Sequence, residues 1–192
     1  RSVSRGLGDV YKRQQYFGFT DAEVKEMLDY YGVSDYYSTA KDWYDGYSFG
    51  KTEIYCPWDV LNYCSRLRFE SDKAPQAFWI NSSGNDIIRK FIEMANSTTK
   101  SEIESLIAGD TVVKEIHPEL TYSELYTSIE NIWSVLYMTG YLTKRGIPER
   151  KQFELAIPNL EIREIFEEQI YEWFKDFSRK DLSLIHISEP TR

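Results

Sequence analysis

Histidine and cysteine are scarce in this sequence, which has two of each among 192 residues. His186 belongs to an end segment set aside below, so no multi-histidine metal site can form. His117, which precedes Pro118, is most simply a loop residue rather than the base of a catalytic triad. Cys56 and Cys64 lie eight positions apart on a predicted helix, a rise of about 12 Å that exceeds disulfide reach. We therefore expect reduced, buried thiols.

Long apolar runs are also missing. No stretch approaches the roughly 20 apolar residues that span a membrane, and the N-terminus carries no hydrophobic signal segment. The sequence therefore predicts a cytoplasmic location and no membrane partner.

The two ends of the chain can be encoded by complementary DNA strands. Residues 4–14 read SRGLGDVYKRQ and residues 182–192 read LSLIHISEPTR, eleven residues each. Codons for Gln14 back to Ser4 can be chosen whose reverse complements spell Leu182 through Arg192 without a mismatch. The implied DNA resembles a transposon-type sequencing adapter translated at both ends of a metagenomic read. We interpret residues 1–14 and 182–192 as adapter-derived, with few contacts to the core, and residues 15–181 as a native piece truncated at both ends.

Cations are few once these ends are removed. The end segments hold five of the 23 lysines and arginines but only two of the 31 aspartates and glutamates. Residues 15–181 therefore carry 18 cations and 29 anions, a formal net charge of −11. Nucleic-acid binding depends on cations that displace phosphate counterions, so we expect no direct contact with nucleic acid.

Short helices dominate the remaining pattern. Apolar residues at helical spacing, with capping and stop residues around them, mark each one. The predicted helices are one from the Thr20–Glu23 capping box to Gly32, one ending near Trp43-Tyr44, one opening at Pro57, one capped by Ser83, one over about Lys100–Ala108, one ended by Gly140 and one capped by Asn159.

Small strands separate these helices. We expect a hairpin over Tyr47–Tyr55 around Gly50, short strands at Phe78–Ile80 and Thr111–Ile116, and a hairpin formed by Tyr141–Lys144 and Phe153–Ile157. The fold class is therefore α+β and mainly helical, with short helices and small β-hairpins. Because a helix, a hairpin and another helix follow one another, the C-terminal part is predicted to be winged-helix-like.

Gly46 to Thr52 reads GYSFGKT and invites comparison with a phosphate-binding loop. Such a loop needs four residues between its glycines and a helix directly after the lysine. Here three residues intervene, and an extended segment follows Lys51 before Pro57. We expect no phosphate binding at this loop.

Five stretches carry a more specific pattern: KDWYDGYSFG (41–50), IYCPWDVLNY (54–63), FWINSSGND (78–86), NIWSVLYMTGYL (131–142) and AIPNLEIREIF (156–166). In this order they resemble the motifs of an AAA-ATPase-like family of bacterial proteins, which often carry a C-terminal PD-(D/E)XK nuclease-like domain. The main matching residues are Trp43, Tyr44, Asp45, Gly46, Tyr47, Phe49, Gly50, Pro57, Trp58, Trp79, Asn81, Ser83, Asn85, Trp133 and Gly140. Cys56 departs from the family's usual asparagine, which weakens a helix cap.

The resemblance implies where this piece lies in a longer protein. The family's nucleotide loop and magnesium-binding strand would precede residue 15, and the nuclease-like residues would follow residue 181. Residues 15–181 then correspond to the lid or winged-helix-like part between them, a non-catalytic connector with no catalytic, cofactor-binding or metal-binding residue of its own. ATP and magnesium are implied for the parent protein only. The implied partners are its own ATPase core and nuclease-like domain, and whether that parent is an active enzyme stays open.

A second hypothesis uses the aromatic turn from Trp43 to Phe49. Its rings can stack on a ligand, and the chain would then be a self-contained module that binds a peptide or carbohydrate. The alternative is that these rings form a small core under the turn, which is the more common arrangement.

Several polar residues also have two interpretations. Asp45 and Asp59 are either an acid/base pair or a turn carboxylate and a first-turn helix carboxylate. We expect the hydrogen-bonding groups of Asn81, Ser83 and Asn85 to serve mainly in helix capping, and a solvated helix face at Glu161, Glu164, Glu167 and Glu168.

Overall fold

Seven helices and five short strands make up the part of the chain described by the structure, a computed structural model. It describes residues 18–49, 52–79, 86–121, 124 and 127–187, without the side chains of 49, 86, 148, 149, 173, 174 and 176–187. The helices are α1 (Asp21–Tyr30), α2 (Tyr37–Tyr44), α3 (Pro57–Phe69), α4 (Asp86–Met94), α5 (Ser97–Ala108), α6 (Ile129–Met138) and α7 (Leu160–Ile187). The strands are β1 (Tyr47–Phe49), β2 (Thr52–Ile54), β3 (Val112–Glu115), β4 (Thr143–Glu149) and β5 (Gln152–Ala156).

Local sequence signals place most helix ends. Thr20 and Glu23 form the predicted capping box at α1, and the Thr20 amide donates to the Glu23 carboxylate at 2.8 Å. Gly109 ends α5 in the left-handed conformation that favours glycine. Cys56 precedes α3 without a side-chain capping bond, as expected for a residue with no carboxyl or amide oxygen.

Two small antiparallel sheets confirm the α+β class. β1 and β2 form the hairpin predicted from the sequence, with Phe49 opposite Thr52. β4 and β5 form the second predicted hairpin between α6 and α7, and β3 pairs with β5 to give the order β3-β5-β4. The extended β2 follows position 51 and α3 begins only at Pro57, so this region lacks the strand–loop–helix order of a phosphate loop. The position of the Lys51 side chain lies outside the described residues.

The strand predicted at Phe78–Ile80 is wrong for the residues that are described. Phe78 and Trp79 form a turn, and Ile80 lies outside the described part. The physical reason is that the Trp79 amide donates to the carboxylate of Glu161 at 3.0 Å instead of joining a strand ladder.

Apolar side chains collect into two cores. The N-terminal core lies among α1, α2 and α3, and the C-terminal core lies among α4–α7 and the three-stranded sheet. The N-terminal core comprises Val24, Leu28, Ala40, Tyr44, Tyr55, Val60, Tyr63, Cys64 and Leu67. The fully buried large side chains of the C-terminal core are Ile88, Phe91, Leu106, Ile116, Ile132, Trp133, Leu136, Tyr141, Leu142, Leu155, Ile162, Ile165 and Phe166.

Polar and backbone contacts join the two cores. The Ser48 amide in β1 donates to the Thr143 hydroxyl in β4 at 3.0 Å. Gly46 packs directly on the backbone of Pro158, just before α7. Its φ is +100°, and a Cβ built on it would lie 2.1 Å from the Pro158 carbonyl oxygen. These contacts leave no room for a side chain at position 46.

Replacing Gly46 with alanine should therefore separate the cores. We expect Gly46→Ala to lower the free energy of unfolding by about 3 kcal/mol or more, from the combined backbone strain and clash. Gly32→Ala is the matched control, because Gly32 also has a positive φ (+69°) but has no atom within 4 Å of a built Cβ. The control variant should lower the free energy of unfolding by about 1–2 kcal/mol. If urea unfolding shows the same decrease for Gly46→Ala and Gly32→Ala, the close contact of Gly46 with Pro158 is contradicted.

Helix α7 continues past the proposed adapter boundary at residue 181 to Ile187. Residues 1–17 and 188–192, and the side chains of 182–187, lie outside the described part, so the expectation of few core contacts stays a prediction. We expect deletion of residues 1–14 and 182–192 to change the free energy of unfolding by less than about 0.5 kcal/mol, as at ordinary surface sites. A larger loss in urea unfolding would show that these segments contribute to the core.

Candidate functional site at the junction of the two cores

Two carboxyl groups meet where the cores join. Asp59 lies in the first turn of α3 and Glu161 is the second residue of α7. Both residues are 0 % exposed. The amino end of a helix carries partial positive charge, which favours a carboxylate there and offsets part of the cost of burial. The sequence thus places one acid at the start of a helix from each core.

Trp79 binds both acids at once. Its backbone amide donates to Glu161 Oε1 at 3.0 Å, and its indole Nε1 donates to Asp59 Oδ1 at 2.9 Å. The indole ring also meets the ring of Tyr141 edge-on, with centroids 6.5 Å apart, while the neighbouring Phe78 packs beside Tyr44 in the N-terminal core. The Phe78-Trp79 turn therefore contacts both cores.

The remaining carboxyl oxygens indicate that the acids share a proton. Asp59 Oδ2 and Glu161 Oε2 are buried, and neither accepts a hydrogen bond from an N–H or hydroxyl group of the described residues, which leaves each with the opposite acid. Burial, followed by the negative charge of Asp59, raises the pKa of Glu161 to about 9. Burial also raises the pKa of Asp59, although hydrogen bonds from Cys56, Glu161 and Trp79 act in the opposite direction. At neutral pH Glu161 therefore holds the proton and can donate it towards Asp59.

Asn159 fixes the start of α7 against the Asp45-Gly46 turn. Its Nδ2 donates to the Asp45 carbonyl at 3.0 Å, and its Oδ1 accepts from the Ile162 amide at 3.1 Å, which is the predicted helix cap. One side chain thus caps α7 and holds the turn. Asp45 itself is buried, and loss of solvation raises the pKa of its carboxyl.

Tyr47 lies on the other side of this turn, against Gly140. A Cβ built at Gly140 would lie 3.5 Å from Tyr47 Cε1, so the ring fits over the glycine. The Tyr47 hydroxyl is buried without a partner among the described residues, and burial raises the pKa of the phenol well above its usual range. Burial likewise raises the pKa of the Cys56 thiol to about 12, so this cysteine is not a reactive thiolate.

The structure brings many of the motif residues singled out above to this junction. Asp45, Gly46, Tyr47, Trp79 and Gly140 all contribute to it. Pro57 supplies the first residue of α3, two positions before Asp59.

Other motif residues lie elsewhere. Tyr44 is fully buried in the N-terminal core, where Trp43 packs half-buried beside it. Trp133 is buried in the C-terminal core, edge-on to Phe91 at 4.6 Å. Trp58 is 62 % exposed. Phe49 ends β1, and Gly50, Asn81, Ser83 and Asn85 lie outside the described residues.

The expectation that Glu161 belongs to a solvated helix face is wrong. Glu164, Glu167 and Glu168 are exposed, whereas Glu161 is buried. The sequence held a signal for this, because Ile165 follows Glu161 by one helical turn and belongs to the core. The acid facing Asp59 is thus Glu161, a pairing that the sequence did not predict.

The chemistry open to this junction is limited by its closure. A substrate cannot touch either carboxyl in this conformation, since neither has exposed surface. In the described part of the chain, no three histidine, cysteine, aspartate or glutamate side chains are grouped as a metal ion would require. The arrangement is suited to holding two helix starts together.

Comparisons with known proteins give no relative. The chain matches no protein-family model, no curated protein and no solved structure. Among the helices described, none is both long and apolar enough to cross a membrane.

The shared proton predicts a pH-dependent stability. The pKa of Glu161 is 4.5 in the unfolded reference and about 9 in the folded chain, so unfolding releases a proton between these values. The stabilisation is fully present below pH 4.5 and is lost as pH rises through 9. We expect the free energy of unfolding, measured with urea, to fall by more than about 1.4 kcal/mol (the equivalent of one pKa unit) between pH 6 and pH 9.

Glu161→Gln should remove most of this dependence. The amide oxygen can still accept from Trp79 and the amide nitrogen can donate to Asp59, so the variant imitates the protonated acid. Glu167→Gln, on the exposed face of the same helix, is the control and should keep the wild-type slope. A Glu161→Gln slope equal to that of the wild type would refute the shared proton.

Proposed function

We propose that this chain is a non-catalytic connector that links an upstream nucleotide-binding core to a downstream nuclease-like domain in a longer cytoplasmic protein. In this proposal the C-terminal part acts as the lid or winged-helix-like region. ATP and magnesium belong to the upstream core, and the chain's partners are the two flanking domains. The proposal rests on the resemblance of the five sequence stretches together with their position in the fold.

One observation carries the proposal: all five stretches supply residues to the same closed junction. The first gives the Asp45-Gly46 turn, the second gives Asp59, and the third gives Trp79. The fourth gives Gly140, and the fifth gives Pro158, Asn159 and Glu161. Trp79 bonds Asp59 and Glu161, Asn159 and Pro158 contact the Asp45-Gly46 turn, and Gly140 packs against Tyr47 next to that turn. Such a set of contacts suits a part that holds two bodies in a fixed relation.

The geometry also supports mechanical transmission. The two acids stand at the first turns of α3 and α7, and Trp79 is bonded to both. Packed interiors deform little, so displacement of one helix start is carried to the other rather than absorbed. A change in the N-terminal core would thus reach α7 through Trp79 and the Asn159 contact.

The buried aromatic residues favour the connector over a peptide- or carbohydrate-binding module. Tyr44 has no exposed surface, and its hydroxyl donates to the Gln76 carbonyl at 3.1 Å. Its ring lies 5.3 Å from the ring of Tyr63 and 5.8 Å from that of Phe78. A ring held on several sides in this way cannot also stack on a ligand.

The complete reading frame tests the proposal directly. Sequencing outward from residues 15–181 in the source DNA should reveal a phosphate-binding loop upstream and a D…(D/E)xK pattern downstream. A complete frame with neither feature would refute the connector and favour the interaction module.

The parent protein would then allow a test of coupling. We expect Gly46→Ala to reduce nucleotide-dependent nuclease activity at least tenfold while ATP hydrolysis stays within about twofold, because the variant disturbs the junction and not the chemistry. Gly32→Ala is the control and should leave both activities unchanged. Parallel loss of both activities would indicate general unfolding and contradict transmission through the junction.

A further inference from the structure

A second feature lies beside the junction and shares Pro158 and Asn159 with it, but it offers a separate open surface. It is an open hollow of about 330 Å³ between the C-terminal end of α5, the sheet and the start of α7. Small-molecule sites in proteins begin at about this size. The polar residues that line it are Asp42, Thr111, Arg145, Asn159 and Arg163.

Arg163 is the main reason to regard this hollow as a binding site. Its Nε is buried and has no hydrogen-bond partner, and no carboxylate of the described chain forms an ion pair with it. Its Nη2 lies 3.4 Å from the position of a Cβ built on Gly109, at the carboxyl end of α5. The negative end of that helix offsets part of the cost of a half-buried cation, but it leaves the Nε donor without a partner. An acceptor in the hollow would bind the part of the guanidinium group that lines it.

Further positive charge lines the same hollow. Arg145 stands on β4 with its side chain 36 % exposed, and its single ion pair among the described residues is a 3.4 Å contact with the exposed Glu53. Helix α7 begins at Leu160 on the wall, and its amino end adds partial positive charge. Two guanidinium groups and a helix start therefore face one space in a protein with a large excess of acids.

Three acids lie around these arginines. Asp42 is exposed where it lines the hollow, and Glu53 pairs with Arg145 at 3.4 Å. Glu154, opposite Arg145 in the sheet, does not line the hollow and accepts from the Thr111 hydroxyl at 2.7 Å. An anion would meet the arginines, while a hydroxyl or amino group on the body of the same ligand could reach Asp42. A phosphate monoester carries about −1.5 to −2 charge, which matches two guanidinium groups better than the single charge of a carboxylate does.

We propose that the hollow formed by Arg163, Arg145 and the start of α7 binds a small phosphate-bearing molecule. The guanidinium groups of Arg163 and Arg145 would hold the phosphate oxygens, and Asn159 and Pro158 would form the adjoining wall. Since Pro158 and Asn159 also hold the Asp45-Gly46 turn, binding would stabilise the junction as well.

Calorimetric titration of the full 192-residue chain with inorganic phosphate and with pyrophosphate, in low-salt buffer, tests the site. We expect saturable one-site binding, with acetate binding at least about tenfold more weakly, because a carboxylate carries less charge. Arg163→Gln should weaken phosphate binding by about tenfold or more, and Arg163→Lys by less, since an ammonium keeps the charge but not the planar fork.

Arg89→Gln is the matched control. Arg89 is a helix arginine paired with Glu93 at 3.3 Å in α4 and does not line the hollow, so its loss should leave phosphate binding unchanged. Arg145→Gln provides a second test at a more exposed position, and we expect it to weaken binding severalfold even if Arg163→Gln fails to fold. Thermal unfolding of each variant without phosphate checks folding.

Three outcomes would overturn the proposal. Absence of saturable phosphate binding by the wild-type chain would refute the site. Equal affinity for acetate would assign the hollow to a carboxylate, such as an acidic side chain of another protein surface, and refute the phosphate assignment. Binding that is unchanged in folded Arg163→Gln and in Arg145→Gln would place the phosphate elsewhere.

Discussion

Two buried acids, tied by one tryptophan, are the constraint on which the arrangement of the two cores depends. A carboxylate moved out of water loses several kcal/mol of solvation, and two such groups side by side repel each other. The junction offsets this cost through helix starts, the two hydrogen bonds from Trp79 and a retained proton. The Trp79 bonds and the retained proton require both cores to be in place. The polar contact therefore specifies how the cores meet more than it adds to their stability.

The two cores differ in the side chains that fill them. The N-terminal core is rich in tyrosine, and its hydroxyl groups tie loops to helices; Tyr63, for example, donates to the Lys73 carbonyl at 3.3 Å. The C-terminal core consists mainly of aliphatic side chains around Phe91, Trp133 and Phe166. Tyrosine-rich packing depends on satisfied hydroxyl groups, so it is specific in geometry but sensitive to the loss of a single partner.

Local signals in the sequence are sufficient to predict most helices and strands, but they do not predict the contacts at the junction. The Thr20–Glu23 box, Gly109 and Asn159 act within a few residues of themselves, so their roles could be read directly. The pairing of Asp59 with Glu161 joins positions about a hundred residues apart, and a single sequence carries no direct sign of such a contact. The sequence predicts a strand at Trp79 for the same reason, because the partner of its amide, Glu161, is remote in the chain. Arg163 gave no sequence signal, since an unpaired arginine is defined by what surrounds it in space.

Helix α7 gives the junction a long reach. From Leu160 to the proposed native boundary at Asp181 the helix rises about 33 Å, at 1.5 Å per residue. Asn159 and Glu161 hold its start, and Ile162, Ile165 and Phe166 pack its first two turns into the C-terminal core. A rod held at one end works as a lever, so tilting it there by about 10° would sweep its far end through roughly 6 Å. A movement small enough to preserve every contact around Trp79 would therefore be magnified to the width of a side chain at the other end.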